Sequence, residues 1–412
     1  MSGDLRTLAR ALSAAPAAQI REAVAMIDAL AERGAADALI APLRGRLRQL
    51  GIPRRLGFVR LLFLPLDPVI RDPAGWRAEQ AAVPRSALAP LGAAVQMALA
   101  EHAGAIRAAT AAGMAAPDLV DRFGAPLWTA GADVLRTLSA AAPPPGWEST
   151  GLPAACLAPI ASASACVLGA EAALRAAVDR PDGPAVIARV IAASAAAGPP
   201  CLALLAAVLL GRCAAPAGLL ALLAQVAAAA GPGAHAAVDR ALTAVFERLE
   251  REAGTGISAV AADQAAGLLA GVANGTSPRQ QALAQAVQQR LDAACRARLQ
   301  TELAARVLVP MAALAGEAGA GTVAALESEA RALAGYAAAA RQLGNPDRYD
   351  RLLREAAAAV RAPAGAPALT PTDRVRMVEI LAGPEAALAL LEGRVPDGAI
   401  APPPRASAGN PG

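Results

Sequence analysis

Residues 200–211 read PCLALLAAVLLG, and residues 216–230 read PAGLLALLAQVAAAA. Both stretches consist mainly of alanine and leucine, which lose little side-chain entropy in a helix and rank among the best helix formers. The same composition extends along the chain, because alanine supplies more than a quarter of the 412 residues and aromatic residues only 2%. Few β-branched runs remain from which a sheet could form. The sequence therefore predicts an all-α protein.

Helix boundaries are marked by capping residues, prolines and glycines. Three sites place a capping side chain directly before a proline, which suits the first helical turn: Ser277-Pro278, Asn345-Pro346 and Thr370-Pro371. Gly383-Pro384 is a typical stop signal. From these signals we predict helices over 4–14, 17–33, 36–50, 54–64, 85–112, 117–140, 152–179, 184–197, 200–211, 216–230, 234–253, 257–272, 278–315, 321–343, 346–361, 371–382 and 384–392.

The search for an internal repeat centres on residues 321–361. Gly335, Tyr336, Gly344 and Tyr349 are of the types found in a tetratricopeptide hairpin, but the spacing of the two glycines does not fit that repeat. No repeat period recurs elsewhere in the chain. We therefore expect an irregular multi-helix bundle or an array of helical hairpins without a recognised repeat.

Proline-rich and polar stretches suggest where domains begin and end. Ala142-Pro143-Pro144-Pro145-Gly146 is typical of a stiff linker, and the Pro-, Gly- and Ser-rich ending is typical of a disordered tail. A softer boundary lies near Gly271–Thr276, where short Ala-rich helices give way to a longer polar one. The predicted organisation is an N-terminal helical domain over 1–142, a linker over 143–150, an apolar helical core over 151–275, a C-terminal helical region over 276–394 and a disordered tail over 395–412.

Composition excludes several classes of chemistry. The chain has no lysine, so all 38 basic side chains are arginine, and only His102 and His235 could serve as neutral bases. Schiff-base catalysis, a pyridoxal anchor and a P-loop lysine are therefore excluded. No HExxH, CxxC or GxSxG motif is present. We predict no catalytic, cofactor-binding or metal site and a non-enzymatic protein, while a site assembled in space from distant residues stays open.

The cysteines and the hydropathy of the chain indicate its cellular location. The five cysteines form no CxxC pair and lie in apolar helical contexts, which favours a reducing cytoplasm. Three uncharged stretches approach membrane-spanning length: Gly151–Ala170, Val190–Leu210 and Cys213–Val238. Each is interrupted by proline and is rich in alanine, which contributes little to membrane insertion. We expect buried helices of a soluble, cytoplasmic protein.

The strongest local charge imbalance lies between residues 44 and 60. Six arginines occur in this stretch without any acidic residue between them, and a phenylalanine follows. We take these seven as candidate interaction residues: Arg44, Arg46, Arg48, Arg54, Arg55, Arg60 and Phe63. A basic amphipathic segment can bind an acidic protein partner or lie on an anionic membrane surface such as that of the inner membrane, and nucleic acid is a less favoured partner. The alternative interpretation is that Phe58, Leu62 and Phe63 belong to the core and the arginines form a solvated or ion-paired face.

The same region carries a resemblance. The order Arg60-Leu61-Leu62-Phe63-Leu64-Pro65-Leu66-Asp67-Pro68, followed by Arg85-Ser86-Ala87-Leu88-Ala89-Pro90, resembles an uncharacterised family of all-helical proteins from GC-rich bacteria. The resemblance covers about residues 40–95. It implies a helical fold and carries no activity, cofactor or site residue.

Three functional hypotheses follow from the sequence. The first is a non-enzymatic helical interaction or scaffold protein that binds a protein partner. The second is peripheral membrane association through residues 44–66. The third is a helical small-molecule binder or enzyme that uses the apolar interior of residues 151–275.

Overall fold

The computed structural model has an all-α fold, as the composition predicts. The residues that it describes are 7–8, 11–12, 15, 17–29, 37–40, 43, 47, 56–72, 74, 76–175, 183–213, 216–255, 257–274, 277–314, 319–362 and 368–393. Within these ranges the only strands are two-residue segments, β1 (Ile70–Arg71) and β2 (Val83–Pro84), which pair in parallel.

The helices of the described residues follow one another with short connections. The helices up to residue 210 are α1 (Ala17–Ala29), α2 (Asp37–Ile40), α3 (Phe58–Leu62), α4 (Leu88–Ala98), α5 (Ala100–Ala111), α6 (Ala116–Thr137), α7 (Leu157–Arg175), α8 (Gly183–Ala197) and α9 (Pro199–Leu210). The remaining helices are α10 (Pro216–Ala230), α11 (Pro232–Thr255), α12 (Ala259–Ala273), α13 (Pro278–Leu303), α14 (Val309–Ala312), α15 (Ala320–Ala340), α16 (Pro346–Arg361), α17 (Pro371–Ala382) and α18 (Pro384–Leu391).

The predicted caps are confirmed where the structure describes them. Ser277, Asn345 and Thr370 each accept a hydrogen bond from a backbone N–H of the following first turn. Thr370 and Asp373 form a reciprocal capping box, so two of the otherwise unpaired groups of the α17 terminus are satisfied. Gly383 ends the same helix with a φ of 86°, a conformation that glycine adopts without strain.

Three predicted helices are interrupted or shortened. The helix predicted over 85–112 breaks at Leu99 into α4 and α5. The helix predicted over 278–315 contains a π-helical turn over Ala304–Leu308, just before Pro310, which has no N–H to continue the hydrogen-bond ladder. Within the range predicted as 54–64, the described helix covers only Phe58–Leu62 and passes into a 3₁₀ segment over Leu64–Val69, where Pro65 and Pro68 remove further donors.

The chain divides into two compact units. Unit 1 comprises Met1–Cys213 and Gly218–Val245, and unit 2 comprises Ala214–Ala217 and Phe246–Gly412. The helices on either side of the Pro143–Pro145 segment, α6 and α7, pack along each other, so these prolines connect two neighbouring helices of one unit. The division therefore falls at places other than the proline-rich segment, and the predicted tail over 395–412 lies outside the described residues.

Unit 1 is organised around an antiparallel helix pair and an apolar central helix. Arg136, late in α6, lies against Gly169 of α7, whereas Asp121, early in α6, pairs with Arg175 at the end of α7. Nearly every side chain of α9 is buried. The helix over Ala154–Arg175, which includes α7, is long and apolar enough to cross a membrane by length and composition, and just over half of its most apolar window is buried within the protein.

Unit 2 contains two buried carboxylates, each bound by two arginines. Asp292 on α13 is 10% exposed and receives Arg296 at 3.0 Å and Arg348 at 3.5 Å. Glu327 on α15 is 4% exposed. Its Oε2 atom lies 2.8 Å from Arg331 and 3.0 Å from Arg376. Ion pairs from partly exposed arginines to these buried carboxylates therefore link α13 to α16 and α15 to α17.

Candidate functional site

Most of the predicted basic segment lies outside the described residues, namely Arg44, Arg46, Arg48, Arg54 and Arg55. Of the seven predicted interaction residues, the structure describes Arg60 and Phe63. Arg60 is exposed in α3, whereas Phe63 directly after α3 is only 3% exposed. Phe58 and Leu62 are buried as well. Within the described residues, the apolar part of this segment therefore faces the protein interior and is not presented to a partner or membrane.

The close packing of α3 depends on two glycines and a tryptophan. A Cβ atom on Gly131 of α6 would lie 2.6 Å from Cδ1 of Leu62, and one on Gly92 of α4 would lie 2.8 Å from Val59. Trp128 of α6, which is 1% exposed, donates its indole N–H to the Leu61 carbonyl at 2.9 Å. The small residues let the helices approach closely enough to bury Leu62 and Phe63.

The double-proline turn after Phe63 is held by Arg212. This side chain donates to the carbonyl oxygens of Leu64 at 3.3 Å and Pro65 at 2.6 Å, and it pairs with Glu171 of α7 at 2.7 Å. Burial raises the pKa of Asp67 in the turn, and the charges of Arg60, Arg212 and Arg85 oppose that rise.

Charges around this turn balance one another. The arginines are Arg60, Arg85 and Arg212, and the carboxylates are Asp67, Asp72 and Glu171. Asp72 pairs with Arg85 at 3.4 Å. Three positive groups therefore meet three negative groups. The described turn adds no net positive charge to the basic segment.

An open groove with a volume of about 690 Å³ lies on the α6–α7 pair. Its floor consists of small side chains because alanine and glycine occupy most of the facing positions. We call it the α6–α7 groove, and the residues that line it are Ala125, Pro126, Thr129, Ala130, Ala132, Asp133, Arg136, Gly169, Ala172 and Ala173. None of these was singled out from the sequence as a site residue.

Arg136 and Asp133 form the charged edge of the α6–α7 groove. Their side chains pair at 2.6 Å, one helical turn apart, and are 52% and 70% exposed. Gly169 leaves room for the guanidinium group, since a Cβ there would lie 3.3 Å from Nη2 of Arg136. Thr129 turns its hydroxyl to the Ala125 carbonyl at 3.0 Å, so its methyl group contributes to the lining. The groove is apolar at its base and carries one cation and one anion at its edge.

A smaller recess lies along α4 and α5. It has a volume of about 290 Å³ and is lined by Ala93, Gln96, Met97, Ala100, Ala103 and Arg107. Met97 is 68% exposed, so the recess is a shallow depression beside an exposed apolar side chain. It has less than half the volume of the α6–α7 groove.

The described residues include both histidines and most of the side-chain types that bind metals. Among the described residues no group of three or more His, Cys, Asp or Glu side chains could hold a metal ion. His235 lies in the first turn of α11, and its Nδ1 atom is 3.1 Å from the Gly231 carbonyl oxygen. His102 lies in α5, the helix predicted to carry it.

Comparison with known proteins returns no relative. No protein-family model matches the chain, and neither a curated protein nor a solved structure is significantly similar to it.

Proposed function

We propose that the chain is a non-enzymatic helical interaction protein whose α6–α7 groove receives a helical segment of a protein partner. The observation that carries the proposal is the shape and lining of this groove. It is open to solvent, measures about 690 Å³ and has a floor mainly of alanine and glycine. Such a surface accommodates a third helix packed on a helix pair.

The lining argues for a polypeptide more than for a small molecule. Sites for small ligands usually enclose most of the ligand surface within a concave pocket. The α6–α7 groove is open, and its small side chains leave space that the larger side chains of a partner helix, such as leucine or methionine, would fill. The apolar interior around α9 offers less room for a ligand, because nearly all side chains of that helix are packed.

The positive charge of this chain indicates which side chains the partner helix carries beside its apolar face. Arg136 at the groove edge is already paired with Asp133, so the excess positive charge comes from residues 1–100, which contain 13 arginines against 8 acidic residues. We therefore propose an amphipathic partner helix with large apolar side chains on its inner face and carboxylates beside them. The arginines between residues 44 and 60 would speed its approach by long-range attraction.

The alternative functions have weaker support. Interfacial membrane binding through residues 44–66 requires exposed apolar side chains, but Phe58, Leu62 and Phe63 are buried. Flotation with anionic liposomes at low salt separates the two proposals, since a groove-binding protein stays with the unbound fraction. We propose a cytoplasmic location, with the inner-membrane surface as the alternative, because none of the five cysteines is in a disulfide bond.

Site-specific photocrosslinking in the native host cells tests the proposal. A photoreactive amino acid replaces Ala173, an exposed residue of the groove, and a matched variant carries it at the exposed Ala325 of α15. We expect a defined protein crosslinked through an amphipathic helix at Ala173 and not at Ala325. Adding Thr129→Trp, which fills the groove, should abolish that crosslink. Equal labelling at both positions, or labelling that survives Thr129→Trp, would contradict the proposal.

The basic segment is tested separately. Arg54→Glu, Arg55→Glu and Arg60→Glu are combined in one chain, and its association with the crosslinked partner is measured at low and high salt. We expect the association rate to fall about tenfold at low salt and to differ little at high salt, because screening removes the long-range attraction. An unchanged association rate at low salt would show that another surface attracts the partner.

A further inference from the structure

Two cysteines on different helices of unit 1 meet beside the α6–α7 groove. Cys166 lies in the middle of α7, and Cys201 lies in the first turn of α9. Ser162 lies one helical turn before Cys166 on α7, so the contacts of Cys201 with Ser162 bring the Cys201 side chain to the turn that carries Cys166, and the two thiols shift each other's pKa. The Cys201 sulfur also lies 3.9 Å from the Ser162 hydroxyl oxygen and 3.9 Å from the Ser162 carbonyl oxygen. Cys201 is 35 residues from Cys166 and 39 residues from Ser162 in the sequence, and the three side chains form one cluster.

The surroundings of the cluster favour a thiolate at Cys201. The hydrogen bond from the Cys166 thiol is the largest influence and lowers the pKa of Cys201 to about 7, with further lowering by Ser162 and Arg136 against the opposing effect of burial. Its position in the first turn of α9 adds the favourable field of a helix N-terminus. The same hydrogen bond and burial raise the pKa of Cys166. One thiol is therefore prepared to react as a thiolate while the other remains a proton donor.

Burial limits which reagents can reach the pair. Cys201 is 3% exposed, whereas Cys166 is half-buried. A bulky disulfide or alkylating reagent cannot approach the Cys201 sulfur in line, but hydrogen peroxide is little larger than water. The arrangement selects a small oxidant over a large one.

We propose that Cys166 and Cys201 are a modification site for hydrogen peroxide, at which the two thiols become an intramolecular disulfide. The Cys201 thiolate attacks one peroxide oxygen, the O–O bond breaks, and the departing hydroxide takes a proton to leave as water, which gives Cys201 sulfenic acid. The Cys166 thiol then attacks the Cys201 sulfur, its proton goes to the departing hydroxide, and a second water leaves. The two sulfurs are oxidised by two electrons and the peroxide is reduced by two. This site is independent of the docking proposal.

The experiment oxidises the whole 412-residue chain with hydrogen peroxide, blocks the remaining thiols with an alkylating reagent and maps the peptides by mass spectrometry. We expect a peptide pair joined through Cys166 and Cys201, lighter by two hydrogens than its parts, before the other cysteines react. Cys166→Ser should stop the reaction at Cys201 sulfenic acid, which a dimedone probe traps. Cys213→Ser, which alters another half-buried cysteine, should leave the yield unchanged.

Two results would overturn the inference. One is oxidation of Cys156 or Cys213 as fast as that of the pair, which would show no selectivity. The other is an absence of the Cys166–Cys201 linkage in a chain whose circular dichroism confirms that it is folded. Cys201→Ala serves as the second variant, because it removes the reacting sulfur and should abolish both the disulfide and the dimedone adduct at residues 162–201.

Discussion

The two units join their helices in different ways although both are built from alanine-rich helices. In unit 1, buried polar side chains donate mainly to backbone carbonyls: Trp128 to Leu61 at 2.9 Å and the buried Arg71 to Ala244 at 2.5 Å. In unit 2, buried carboxylates at Asp292 and Glu327 each receive two arginine side chains.

The difference shows how one composition supports two kinds of interior. The helices of unit 1 approach closely through glycines such as Gly131, so shape determines which faces meet. The helices of unit 2 include the long polar α13, whose buried Asp292 must be matched by charge. Unit 1 should therefore respond most to changes of size and unit 2 most to changes of charge.

The largest effect is expected where a buried charge loses both partners. Arg331→Ala combined with Arg376→Ala leaves Glu327 buried without a cation, and we expect unit 2 to lose about 3 kcal/mol of unfolding free energy. Chemical denaturation monitored by circular dichroism measures the loss, and hydrogen exchange assigns it to α15 and α17. Glu327→Met is the control, because removing the buried charge itself should cost far less. Equal losses in the two variants would mean that charge matching does not hold this unit together.

A size change in unit 2 is expected to act through the same charge network. Gly344→Ala places a methyl group on the Asp292 carboxylate, so that carboxylate must move away from Arg296 and Arg348. We expect a loss of about 2 kcal/mol. Gly335→Ala is the matched control in α15, where a Cβ meets nothing within 4 Å, and it should stabilise the chain by about 0.5 kcal/mol or more. The melting temperatures of the two variants should shift in opposite directions.

Two glycine-to-alanine variants in unit 1 test whether its helices are held by close packing of side chains. Gly131→Ala brings a methyl group against the fully buried Leu62, whose side chain must then shift within the packed interior, and we expect a loss of about 1 to 2 kcal/mol. Gly104→Ala in α5 adds a methyl group in open space and should be neutral or stabilising. Denaturation curves that coincide for these two variants would remove the size argument for unit 1.

The smallest expected effect isolates one hydrogen bond. Trp128→Phe removes the donor to the Leu61 carbonyl, whereas Trp147→Phe removes a buried indole N–H that has no partner among the described residues. Both changes remove a similar area, so their difference in unfolding free energy measures the bond. We expect Trp128→Phe to be the more destabilising by about 1 kcal/mol. A larger loss for Trp147→Phe would argue that packing, not the bond, dominates at Trp128.

Local features of the fold could be predicted from the sequence, and contacts between distant residues could not. The cap at Thr370 and the stop at Gly383 depend on a few neighbouring residues, so their signals are complete in the sequence. The break at Leu99 was missed because no proline or glycine occupies that position. Asp292 and Arg348 are paired across 56 residues, and nothing local indicates that match.

The candidate site was less predictable than the fold for the same reason. The helix over 117–140 was expected, but which of its faces meets α7 depends on packing that periodicity alone does not define. Gly131 and Gly169 were the available signal, because small residues on facing helices permit close approach. Phe63 shows the converse: its basic neighbours suggested a surface residue, whereas close packing places it in the core.

The most direct measurement is the affinity of the chain for the helical segment captured at the α6–α7 groove. Ala173→Trp fills the groove from an exposed position, and Ala325→Trp places the same side chain on an exposed face of α15 in unit 2. If the groove receives the partner, the dissociation constant rises about tenfold or more for Ala173→Trp, equivalent to about 1.4 kcal/mol, and stays the same for Ala325→Trp. Equal dissociation constants for the wild-type chain and Ala173→Trp would contradict the proposed function.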